Sequence, residues 1–178
     1  MHNTCSIRPA TLADDHVLSQ LAGRTFPLGC PQDTDPKHLA AFIASELTAE
    51  RFREFISSDG VTILLAEAES KLAGFAMLVA DCPHPQIAAQ SPIELRKFYV
   101  DLPYHGHGVA HALMQAAIPI LEDQRFDAAW LSVYSGNARA ISFYEKWGFK
   151  TVGTHYFKVG SDPQQDFVMR RDRSRGTE

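Results

Sequence analysis

A change of hydrophobic period near residue 61 restricts this chain to folds that combine helices with strands. Before it, apolar residues recur at helical spacing. Thr11 and Asp14 stand in capping-box positions ahead of Val17, Leu18 and Leu21, which form an apolar face. Asp35-Pro36 reads as an N-cap followed by proline in the first turn, with Leu39, Phe42 and Ile43 as its stripe. Thr48 opens a third helix, flanked by Leu47 and Phe52 at hydrophobic-staple spacing. After it, β-rich runs at 61–67 and 72–80 predict an antiparallel hairpin. Strands are expected at 93–100, 129–134, 151–159 and 167–170, and helices at 106–124, with a kink at Pro119, and at 137–147. That alternation points to an α/β class built on a mixed sheet.

Length, charge and cysteine use bound the function. At 178 residues, with no repeat or linker, a single domain over 1–178 is expected, its core at about 5–171 with a short basic C-terminal tail. A formal charge of −4 argues against a nucleic-acid partner, and the cluster at 170–175 reads as a frayed terminus. No apolar run reaches membrane-spanning length, and the first five residues lack a leader pattern. Cys5, Cys30 and Cys82 are too few and too scattered for a disulfide framework or a cysteine zinc site, so a reducing cytoplasm is the expected setting.

The stretch from Phe98 to Ala110 ends a strand, turns, and opens a helix with Gly106 and Gly108. The first N–H groups of a helix lack internal partners, and glycines remove the Cβ atoms that would keep a diphosphate at a distance. Neither a Walker loop nor a dinucleotide fingerprint is present. His105, His107 and His111 raise the question of a metal, but helical spacing does not bring all three together, and no metal is expected.

A second constellation runs from Ser135 to Phe149: Asn137 begins a helix, Tyr144 lies within it, and Gly148-Phe149 follow its end. With the first, it makes the chain resemble the GCN5-related N-acetyltransferase (GNAT) superfamily. That family's pyrophosphate signature is Gln or Arg, two residues, Gly, one residue, then Gly or Ala. Here it falls on His105, Gly108 and Ala110, and the second signature on Asn137, Tyr144, Gly148 and Phe149. The helical segment between Thr25 and Ser57 resembles that of the polyamine-acetylating branch.

The resemblance implies a mixed, mostly antiparallel twisted sheet flanked by helices. It also implies transfer of an acetyl group from acetyl-CoA to a primary amine by direct attack in a ternary complex. Phe98 and Val100 would line the pantetheine, and His105, Gly106, His107, Gly108, Val109 and Ala110 the diphosphate. Asn137 would hold the pantetheine or adenylate arm, and Tyr144 would protonate the departing thiolate. The backbone N–H of Phe98 would polarise the thioester carbonyl. Glu94 falls at the position of the general base in histone acetyltransferases, on one strand face with Arg96 and Phe98; the alternative is that it pairs with Arg96 or Lys97. His105 in place of Gln or Arg predicts CoA affinity that weakens from about pH 6 to 8. A rival reading is a catalytically silent CoA-binding sensor or scaffold. Phe26, Asp33, Asp35, Glu46 and Glu50 would lie near the amine or peptide acceptor, and a homodimer is the default assembly.

Overall fold

The computed structural model describes residues 5–173; the leader reading of residues 1–4 and the last part of the basic tail lie outside the described residues. The strands are β1 (Ser6–Pro9), β2 (Val61–Ala68), β3 (Lys71–Val79), β4 (Pro92–Val100), β5 (Ala128–Tyr134), β6 (Lys150–Val159) and β7 (Asp162–Asp172). They form one sheet in the order β1-β2-β3-β4-β5-β7-β6. The helices are α1 (Asp15–Thr25), α2 (Pro36–Glu46), α3 (Ala49–Ser57), α4 (Val109–Leu121) and α5 (Ala138–Lys146). Of the six neighbour pairings, only β4 with β5 is parallel. This is the mixed, mostly antiparallel sheet that the motifs imply.

Strand alternation divides the core between the two faces. Leu64, Ala76, Leu78, Ile93, Leu131 and Met169 pack with α4, while Ile63, Leu65, Phe75 and Met77 pack with α1 and α3. The α3 staple forms as the sequence predicts: Leu47 and Phe52 are both buried, and Thr48 Oγ1 accepts from the Arg51 N–H at 3.2 Å. At the start of α1 the Asp14 carboxylate accepts from the Thr11 N–H at 2.7 Å and also receives Arg8 at 2.8 Å. Between β2 and β3, Glu69 and Ser70 take the paired positive φ angles, 53° and 60°, of a two-residue hairpin turn.

Four expectations are corrected. Val17 is exposed, and the buried stripe of α1 is Leu18, Leu21 and Ala22. The helix expected over 106–124 spans only Val109–Leu121, its start delayed because Gly106 and Gly108 both adopt left-handed φ. Pro119 lies inside it as expected, in the last turn, two residues before the helix ends. The closing strand begins at Asp162 rather than 167 and runs through Arg170 and Arg171, which belong to the sheet and not to a frayed tail. Arg171 bonds Glu122 and the Trp147 carbonyl, fastening β7 to the ends of α4 and α5.

Candidate active site

The parallel ladder between β4 and β5 lasts three residue pairs, Pro92 with Ala128, Ile93 with Ala129 and Glu94 with Trp130. Beyond Glu94 the two strands part, and a cleft of about 1060 Å³ opens between them. The register of β4 against β3 also shifts, with Met77 facing Lys97 and Leu78 facing Leu95, so Arg96 is an extra residue. The bulge breaks simple alternation. Ile93, Leu95, Phe98 and Val100 pack toward α4, whereas Tyr99 packs on the opposite side. Glu94 and Phe98 therefore do not share a face, contrary to the sequence reading.

On the α4 side the cleft is bordered by Phe98, Val100, His105, Gly106, Gly108, Ala110, Asn137 and Tyr144. Gly106 and Gly108 have φ of 79° and 81°, and a Cβ on either would meet nothing within 4 Å. Glycine is thus required by the backbone and leaves open space above the first turn of α4, where N–H groups lack helical partners. Val109 is buried in the core, and His107 Nδ1 bonds the His105 carbonyl at 2.9 Å, so their side chains serve the turn. His111 rests on Trp147, ring centroids 5.0 Å apart.

His105 is turned inward. Its Nε2 lies 2.8 Å from the Val100 carbonyl and its Nδ1 2.7 Å from Arg139 Nη1. A donor to Val100 at Nε2 and an acceptor for the guanidinium at Nδ1 satisfy both contacts. Arg139, also on the cleft wall, is a cation the motif comparison passed over because it is not a signature position.

Asn137 caps α5, its Oδ1 accepting from the Ala140 N–H at 3.1 Å. The helix closes on left-handed Gly148, with the Phe149 N–H on the Tyr144 carbonyl at 3.1 Å and the Gly148 N–H on the Glu145 carbonyl at 3.0 Å. That cap presses Phe149 against Tyr144, ring centroids 6.0 Å apart, while Phe98 and Phe143 meet the same ring edge-on. Burial pushes the Tyr144 phenol far above its ordinary range, so it holds its proton throughout neutral pH.

The other side of the cleft carries Phe26, Cys30, Glu94, Lys97, Trp130, Ser132, His155, Gln164 and Asp166, among others. Glu94 Oε2 accepts from Arg96 Nε at 2.7 Å and from the Cys82 thiol at 3.1 Å. Burial first, then Arg96, lowers Lys97 to about 8. Although scattered in sequence, Cys30 lines the cleft and Cys82 touches Glu94. Burial raises both thiols, Cys30 to about 11, and disfavours the nucleophilic thiolate. Among the expected acceptor-side residues Phe26 borders the cleft. Asp35 instead caps α2 through the Lys37 N–H, and Glu46 pairs with Arg51.

Comparison with known proteins agrees with this geometry. Residues 26–149 match the model of the acetyltransferase (GNAT) family. An uncharacterized N-acetyltransferase of Mycobacterium tuberculosis is 36% identical over 161 residues, covering 90% of this chain and 99% of that protein. The [ribosomal protein bS18]-alanine N-acetyltransferase of Escherichia coli is 33% identical over 72 residues, 39% of this chain and 48% of its own. In fold, the chain is similar to the PaiA N-acetyltransferase of Thermoplasma acidophilum solved with coenzyme A. The TM-score is 0.77 at 23% identity, covering 95% of this chain and 99% of the other. With the family model matched over most of the chain and a relative 36% identical along nearly its whole length, the chain belongs to the GNAT family as an acetyl-CoA-dependent N-acetyltransferase.

Proposed function

We propose that the chain acetylates a primary amine by direct attack within a ternary complex, the thioester entering from the α4 side of the cleft and the amine from the opposite side. The observation that carries this reading is the early end of the β4–β5 ladder, which joins two chemically different walls in one opening. Acetyl-CoA supplies an activated acetyl group. Free N–H groups in the first turn of α4, beside Gly106 and Gly108, hold its diphosphate, with His105, His107, Val109 and Ala110 shaping that turn. Arg139, 2.7 Å from His105 Nδ1 on the same wall, brings a fixed positive charge toward the diphosphate. Phe98 and Val100 line the pantetheine, Asn137 orients its arm, and the Phe98 N–H polarises the carbonyl from the stretch released by β5. Tyr144 gives its proton to the departing sulfur. Glu94, neutralised by Arg96, is a fixed part of the wall.

The acceptor is proposed at the level of a primary amine. Of the acidic groups expected to favour a polyamine, Asp35 is engaged in capping and Glu46 in surface pairing, while the likeness to a ribosomal-protein acetyltransferase keeps peptide α-amines in the panel. The same reading treats about 5–171 as one acetyltransferase domain, working in the cytoplasm without metal, nucleic acid or membrane and assembling as a homodimer. All three cysteines are free thiols, which suits a reducing compartment.

The test is CoA thiol release from acetyl-CoA over a panel of polyamines, amino acids and peptides, with wild type and Tyr144→Phe. We expect turnover that the substitution lowers about a hundredfold while CoA binding by calorimetry is kept. CoA binding with no turnover of any amine would instead favour the silent sensor.

A further inference from the structure

Resting on that reading, we infer that Asp166 and Gln164 form the amine-docking end of the cleft and that Asp166 takes the proton of the acceptor ammonium. Both side chains line the cleft on β7, and both residues are more than nine-tenths buried. Gln164 Nε2 donates to Asp166 Oδ1 at 2.6 Å, which leaves Gln164 Oε1 buried without a partner among the described residues. A buried acceptor lacking a donor is costly to keep, and a primary ammonium brings the N–H that it lacks.

A line of polar groups behind Asp166 fixes its role. The Gln86 N–H donates to His84 Nδ1 at 3.2 Å, so His84 carries its proton on Nε2. That nitrogen lies 2.9 Å from His155 Nδ1, which must then accept, placing the His155 proton on Nε2. His155 Nε2 meets Ser132 Oγ at 3.0 Å, and Ser132 Oγ donates to Asp166 Oδ2 at 2.8 Å. Every donor points the same way, and the line ends on a carboxylate. His155 itself has no lone pair left for substrate, whereas Asp166 is the anionic terminus. The groups facing Asp166 are Ser132 from β5, His155 from β6 at 4.0 Å, Gln164 on its own strand, and the Cys30 thiol from the segment after α1. Burial raises Asp166 above the usual carboxylate range, which brings it closer to a useful base.

The step balances. One proton passes from the ammonium to Asp166 and frees the nitrogen lone pair. The C–N bond forms as the C–S bond breaks, the sulfur takes the Tyr144 proton, and the second proton on nitrogen restores the phenol. Asp166 returns its proton to water as the amide leaves.

The experiment is the pH dependence of kcat/KM with the best amine from the panel. Asp166→Asn, which keeps the shape and can still accept from Ser132, is expected to lower kcat/KM a hundredfold or more and to remove the acid limb, with CoA affinity within twofold of wild type. Ser132→Ala and His84→Ala act through position. Loss of a donor to the carboxylate should move the acid limb upward by about half to one pH unit, a shift that a merely structural defect would not produce. If Asp166→Asn does not fold, these two variants carry the test. An acid limb that survives in Asp166→Asn, vanishes in Glu94→Gln, or stays fixed in Ser132→Ala and His84→Ala overturns the inference while leaving the acetyltransferase reading intact. Wild type inactive on every amine overturns both.

Discussion

Lys97 shows how a single residue can be tuned for the cleft at a cost to the fold. It hydrogen-bonds to no described side chain, and its ammonium lies 6.0 Å from the Tyr99 ring centroid. Burial lowers it to about 8 from an ordinary 10.5. Between those values the unfolded chain binds more protons than the folded one, so stability should rise with pH across that window. Lys97→Met should then raise stability at pH 7 by on the order of 2 kcal/mol and flatten the rise, as measured by urea unfolding at pH 7 and 10. Residue-scale chemistry was only partly legible in the sequence. Tyr144, Asn137 and the two glycines stand at signature spacings that can be counted. Asp166 and Gln164 sit in the polar run Asp162-Pro163-Gln164-Gln165-Asp166, which reads as a loop until its pairing with β6 is seen. His155 becomes meaningful only when the sheet sets it beside Ser132 and His84.

Among the elements, the junction of β4 and α4 is the most demanding. Asp101, at the end of the strand, receives Arg24 of α1 at 2.8 Å and caps Leu102, so the turn is held from both sides before the glycines begin. At Gly108 an added Cβ meets no neighbour, hence Gly108→Ala tests backbone and ligand space alone. We expect a loss of ~1–2 kcal/mol from the left-handed φ. CoA affinity should fall about tenfold because the methyl enters the space above the free N–H groups, with melting and calorimetry as the two readouts. Caps and staples made most element types readable: the α3 staple, the Asn137 cap and the Gly148 terminus each lie within a few residues of their partners. The bulge at Arg96 was not readable, because an extra residue shows only against β3. It moved Glu94 off the face of Phe98 that plain alternation would give it.

For the molecule as a whole, the sheet divides into β1–β4 and β5–β7, joined by the three rungs at Glu94 and above. The fold class followed from the order of periodic segments, but this division did not, since parallel pairing and its length depend on contacts between distant strands. Amide exchange offers a measurement: Ala129, at the seam, should exchange faster than Leu65 or Val168 inside the two halves, and the gap should narrow when CoA spans the opening. The first strand belongs to one half and the last to the other, so that short seam lies between them. The cleft thus opens at the shortest ladder of the sheet, shorter even than the four pairs that hold β1.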